Sequence, residues 1–180
     1  MQASWIEHLD VLGAALRFRA SRVVTPFASD GDQDLLFATI LSPFTMGLAP
    51  FTTTPGDYLS NTYWAVSPFD SPVGGRVKFR LVPNAASPPA HAGHGGREER
   101  LLLAVAEHRS ALRLEVRHTF ARAWLPLVTV ALVERAALDQ EALRFSPFRA
   151  GRGIVPRGLV HALRRPAYAA SQRARPMGSS

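Results

Sequence analysis

Gly75-Arg76-Val77-Lys78-Phe79-Arg80-Leu81-Val82 is the stretch that decides the fold. Val77, Phe79 and Leu81 alternate with Arg76, Lys78 and Arg80. A period of two gives one apolar face and one charged face only if the backbone is a β-strand. This is a half-buried strand with a basic outer face. Pro83 follows, lacks a backbone N–H, and is expected to end it. The same rhythm returns downstream, where Leu112, Leu114, Val116 and His118 alternate with Arg113, Glu115, Arg117 and Thr119. From Leu125 to Val133 the chain is more continuously apolar, which reads as a central strand or the wall of a closed barrel.

Between these strands, residues 84–97 (NAASPPAHAGHGGR) read as a loop with little capacity to pack. His91 and His94 stand three apart there, with no carboxylate or third ligand near, so they do not make a metal site. A helix is expected at about 98–110, with Leu101, Leu102, Val105 and Ala106 on one side.

Working toward the start, residues 4–20 read as an amphipathic helix packed on the domain surface. Ser4 and Glu7 have capping-box spacing, and Trp5, Leu9, Leu12 and Leu16 follow one helical face. Pro43, Pro50 and Pro55 break the aromatic-rich region 36–66 into short pieces, irregular or with a short helix near 55–62. Residues 134–143 read as a helix-like or turn segment, after which Phe145, Pro147 and Phe148 return the chain to the core. The layout is α+β and mainly antiparallel β: a barrel or part of one, with surrounding helices, in a single domain over 1–180.

Composition limits the chemistry. With 47% apolar and 19% charged residues the chain has the makeup of a folding sequence. The formal net charge is +7, and Lys78 is the only lysine among the basic residues. Arginine makes planar, multidentate bonds to carboxylate or phosphate, so an anionic partner is expected: a propionate-bearing cofactor, a nucleic acid, a lipid surface or an acidic subunit. With no cysteine, disulfides, thiolate catalysis and thiolate metal sites are excluded. The start lacks a signal-peptide pattern and no apolar run is long enough to span a bilayer, so the expected location is cytoplasmic.

The basic C-terminal segment 144–175 carries eight arginines, and no acidic residue follows Glu141. If its last part is helical, Arg164, Tyr168 and Arg175 share a face, with Pro166 suited to the first turn. A guanidinium beside a phenol favours the phenolate, and a phenolate can ligate haem iron. The plainer alternative is a terminal basic helix with Tyr168 an ordinary half-buried aromatic.

Several phrases in order resemble the catalase-like haem proteins, a bacterial branch distantly similar to haem catalases. They are Phe145-Ser146-Pro147-Phe148, Val155-Pro156-Arg157-Gly158, Leu163-Arg164-Arg165-Pro166-Ala167-Tyr168, and Arg175. Tyr63-Trp64-Ala65-Val66-Ser67-Pro68-Phe69 and the strand ending Leu81-Val82-Pro83 add to the resemblance, which covers roughly residues 35–175. It implies a catalase-like antiparallel β-barrel, lacking its N-terminal part, and a haem (ferric iron protoporphyrin) cofactor. Tyr168 would be the iron ligand, Arg164 its tuning partner and Arg175 a propionate anchor. The implied activity is decomposition of hydrogen peroxide or oxidation with it, as catalase or peroxidase, with peroxide as the small-molecule partner. An incomplete barrel would expose strand edges that favour self-association, so a homo-oligomer is a further expectation.

The departures from that family concern the distal side. His8 has the wrong neighbours for the distal histidine, Ile40 or a nearby apolar residue stands near the distal asparagine position, and Asn61 is not placed over the haem. Peroxide cleavage needs an acid–base group within hydrogen-bond reach. Two other readings therefore stand beside the haem enzyme. One is a vestigial or structural, non-catalytic domain without haem. The other is a basic binding module for an acidic partner or nucleic acid, although the arginines of 144–175 lack the interleaved aromatic platform of a single-strand binder.

Overall fold

The computed structural model describes residues 11–39, 53–65, 67–84 and 95–157. Their architecture is α+β, built on one eight-stranded sheet in which every pairing is antiparallel. The strands are β1 (Gly13–Phe18), β2 (Gln33–Ala38), β3 (Tyr63–Ala65), β4 (Phe69–Ser71), β5 (Gly75–Pro83), β6 (Ala111–His118), β7 (Leu125–Ala131) and β8 (Val155–Pro156). One helix, α1 (Arg97–Ala106), connects β5 to β6.

β5 organises the sheet. Its whole length from Val77 to Pro83 pairs with β6 on one edge. Two short strands share the other edge: β4 lies against Gly75–Val77 and β3 against Arg80–Leu81. β3 leads on to β2 and then β1. The returning C-terminal segment completes the gap beside β4, with β8 pairing to Phe69 and Asp70 and Ala150 bridging to Gln33 of β2.

The alternation that marked β5 sets which side is buried. Val77, Phe79 and Leu81 enter a core with Leu35, Phe37, Tyr63, Phe69 and Leu114. Phe69 and Phe79 meet edge to face, 5.5 Å between centroids. Leu81 and Leu114 are almost wholly buried, and burial of a side chain of that size contributes ~1.5–3 kcal/mol. Helix α1 covers one end of this face through Ala104 and Leu101. Glu98 and Glu99 sit in its first turn, where the helix dipole favours anions, and Glu99 accepts a hydrogen bond from the Gly96 N–H. The helix stops where His108 takes a left-handed conformation, φ 53°.

A buried ionic clamp fixes the C-terminal segment. The Asp34 carboxylate is fully buried. It accepts from Arg17 Nε at 2.8 Å, Arg149 Nη1 at 2.6 Å and the Ser146 N–H at 2.9 Å. The Arg17 guanidinium also lies over the Phe145 ring at 4.7 Å and donates to the Arg144 carbonyl. Beside it, the Gln33 amide donates to the carbonyls of Arg149 and Ile154. Gly151 passes so close that an added Cβ would sit 2.4 Å from the Gly31 carbonyl carbon.

Several expectations are corrected. The sheet is not closed into a barrel: among the described residues β1, β7 and β8 each pair with one strand only and end it. Residues 13–18 of the expected N-terminal helix are strand β1; residues 4–10 lie outside the described residues. The Leu125–Val133 run is an edge strand, with Leu125 59% and Leu127 57% exposed, and not a central one. The expected short helix near 55–62 is a single 3-10 turn, Tyr58–Ser60. The expected helix at 98–110 is found as Arg97–Ala106, and Phe145 and its neighbours do return to the sheet. No helix among the described residues is long and apolar enough to cross a membrane.

Removing one partner of a buried ion pair leaves an uncompensated charge and costs ~3–5 kcal/mol. Asp34→Ala is therefore expected to lower unfolding free energy by about that much in urea denaturation. A loss below ~1 kcal/mol would show that the clamp does not hold the segment.

Candidate functional site

The face of the sheet opposite the core carries the charge. Alternation puts Arg76, Lys78 and Arg80 of β5 and Arg113, Glu115 and Arg117 of β6 on this side. Register sets Lys78 opposite Arg117 and Arg80 opposite Glu115. At one end Asp70 of β4 meets Arg76 at 3.7 Å and also pairs with Arg157. Six cations (Arg76, Lys78, Arg80, Arg113, Arg117, Arg157) thus face two carboxylates (Asp70, Glu115), an excess of four positive charges.

Two tryptophans sit among them. Trp64 reaches this face because Tyr63 and Ala65 on either side of it are buried in the core. Trp124 arrives just before β7. Their rings meet edge to face, 5.7 Å apart. The Arg80 guanidinium lies 4.4 Å from the Trp124 centroid and 5.4 Å from that of Trp64. Arg117 covers Trp124 as well, at 4.7 Å. Guanidinium over an indole face is the favoured cation–π geometry, worth ~0.5–2 kcal/mol according to exposure.

The carboxylate in this array is shared. Glu115 accepts from Arg80 Nε at 2.7 Å and from Arg113 Nε at 2.8 Å. Burial works against its charge, but the hydrogen bonds from Arg80 and then Arg113 outweigh that and hold its carboxyl below the ordinary carboxylate value. One anion thus answers two guanidiniums. Arg117 and Lys78, by contrast, have no carboxylate partner among the described residues. Arg117 Nε is buried beside Trp124 with no hydrogen-bond acceptor. A buried donor left unmade is costly.

The residues singled out by sequence fall elsewhere. Tyr168, Arg164 and Arg175 lie outside the described residues, as do His91, His94, His8 and Ile40. Asn61 is buried as a turn organiser: its amide accepts from the Thr54 N–H at 2.7 Å and donates to the Thr54 carbonyl at 2.8 Å. Arg157 is ion-paired to Asp70. The buried phenol is Tyr63, which donates to the Tyr58 carbonyl at 2.7 Å. Burial, then the nearby Tyr58 and Asp57, push its pKa up, so it is a protonated donor and no phenolate.

The haem expectation is corrected with the barrel that carried it. The sheet is open, and the described residues include no group of three or more His, Cys, Asp or Glu able to hold a metal. Trp64 and Trp124 turn their faces to arginines on the outer side of the sheet and form no aromatic pocket. The catalase, peroxidase and iron-dependent readings therefore do not describe this architecture.

The basic face of β5 is legible in the sequence, whereas its aromatic half is not read from the strand pattern alone. Trp64 follows the alternation of Tyr63-Trp64-Ala65, which was a usable signal. Trp124 lies before its strand, and only the pairing of β6 with β7 carries it to Arg80.

Glu115 and Asp32 supply a pH test. A hydrogen bond from the Ser29 N–H, then one from Arg19, lowers the Asp32 pKa against its burial. Carboxylates lowered on folding add stability above their unfolded pKa of ~4, and lose it as pH falls through the folded value. The urea midpoint is expected to stay level from neutral pH to about 5 and to drop below about 4. Glu115→Gln, with the same shape and no titration, should make that acid drop shallower.

In comparison with known proteins, the chain matches no family model, no curated sequence and no solved structure.

Proposed function

We propose that this chain is a non-catalytic binding module whose basic sheet face takes an acidic polypeptide. The observation that carries the reading is the unmatched pair Lys78 and Arg117, adjacent in register on a face with four cations in excess. Arg117, half-buried, has no carboxylate partner among the described residues, and a partner carboxylate can supply one. Arginine suits this role because its planar fork meets a carboxylate with two parallel bonds.

The tryptophans favour polypeptide over single-stranded nucleic acid. A strand-binding platform offers open indole faces for base stacking. Here the Trp124 ring is covered by both Arg80 and Arg117, and Trp64 is set against Trp124 and Arg80. The cation–π contacts instead hold the guanidiniums in place, which lowers the ordering cost of binding. Strands β5 and β6 provide a rigid base, since both also furnish the core.

A fluorescent oligo-glutamate peptide titrated against the protein tests the reading by anisotropy. Saturable binding is expected, weaker as salt rises from 50 to 300 mM. The double variant Lys78→Ala/Arg117→Ala should weaken it ~10-fold, or about 1.4 kcal/mol, with the urea midpoint little changed. Equal affinity in wild type and the double variant would overturn the proposal. So would tighter binding of oligo-thymidylate than of the peptide at matched salt, which would point to nucleic acid.

A further inference from the structure

The other side of the sheet holds a separate feature. Helix α1 and the 3-10 turn pack over one part of the core face, through Ala104 and Leu59. Toward the β8 end, the strands instead enclose an open-mouthed cavity of ≈ 540 Å³. Its lining is apolar: Phe18 of β1, Leu35 of β2, Phe79 of β5, Leu114 of β6, Leu127 of β7 and Ile154 beside β8. That volume lies in the ~300–1,000 Å³ range of small-molecule sites.

The polar residues on this lining differ in one respect. Gln33 spends its amide nitrogen on the carbonyls of Arg149, Asp34 and Ile154, and its oxygen accepts from the Arg152 N–H. Arg17 and Arg19 give their guanidiniums to Asp34 and Asp32. Arg152 is exposed, lines the same cavity, and has no carboxylate partner among the described residues. The cavity therefore combines an extended hydrocarbon wall with a single uncommitted cation. Leu127, 57% exposed, leaves that wall open to an entering chain.

We infer that this cavity binds one single-chain amphiphile with an anionic head, a fatty carboxylate. Its tail lies along Phe18, Leu127 and Ile154, and its carboxylate meets Arg152. A planar guanidinium matches a carboxylate, and the tail removes apolar surface from water. Lipid phosphate headgroups share the anionic chemistry, but a two-chain lipid needs twice the wall. The site lies on the face opposite Lys78 and Arg117, so the inference stands or falls independently of the acidic-polypeptide reading.

The test is calorimetric titration of the full chain with monomeric laurate, below its micelle concentration. Saturable one-to-one binding is expected, tightening ~15-fold for each two methylenes from octanoate to laurate. Arg152→Ala should weaken laurate at least ~5-fold while leaving dodecanol unchanged, because only the carboxylate uses the cation. Leu127→Glu, at an already exposed position, should abolish binding of both. A urea midpoint close to that of wild type in the two variants shows that they are folded. The inference is overturned if monomeric laurate gives no saturation, or if affinity ignores both chain length and Arg152. Binding to phosphatidylglycerol vesicles without binding to monomeric laurate would also overturn it.

Discussion

The Asp34 carboxylate is the constraint on which the rest of the sheet depends. An ionised carboxylate removed from water is tolerated only when paired and hydrogen-bonded. Asp34 meets that condition with groups from two distant parts of the chain: Arg17 on β1, and Arg149 with the Ser146 N–H on the returning segment. Satisfying one charge thus fixes the β1–β2 hairpin and the C-terminal segment in a single geometry. The backbone agrees, since the Asp34 N–H donates to the Arg149 carbonyl and the Gly151 N–H to the Asp32 carbonyl. With the segment seated there, β8 reaches β4 and the gap between β2 and β4 is filled.

Much of this was legible in the sequence wherever one face of a strand is buried and the other is not. Val77, Phe79 and Leu81 and their β6 counterparts gave both strands, nearly to the residue, because alternation there has no helical counterpart. At the start of the chain the pattern was ambiguous. Leu12 and Leu16 fit a helical spacing of four and equally a strand spacing of two, with Ala14 between and Phe18 beyond. Pairing with β2 from Gly13 to Phe18 decides it, and no local signal shows that pairing. β7 misled in a different way. Its continuous apolar run suggests burial on both sides, yet the strand lies at the edge.

The basic face was half legible for the same reason. Arginines on alternate positions of β5 and β6 announce a charged side of a sheet. Their placement depends on Trp64 and Trp124, which lie 60 residues apart in the sequence and 5.7 Å apart in space. The clustered arginines beyond residue 157 drew attention because they are dense in sequence. The array formed by Arg80, Arg113 and Arg117 is dense only after folding, when Glu115 and the two indoles order it.

The clamp also bears on how the protein is made. Arg17 and Arg149 are separated by most of the described chain, so their shared anion joins an early-synthesised hairpin to a late segment. While a ribosome is still producing β6 and β7, Asp34 has only half its partners and the slot between β2 and β4 stands open. Contacts so distant along the chain form slowly. Assembly of this sheet therefore waits for residues 144–157, and until they arrive the partly made sheet exposes unpaired strand edges.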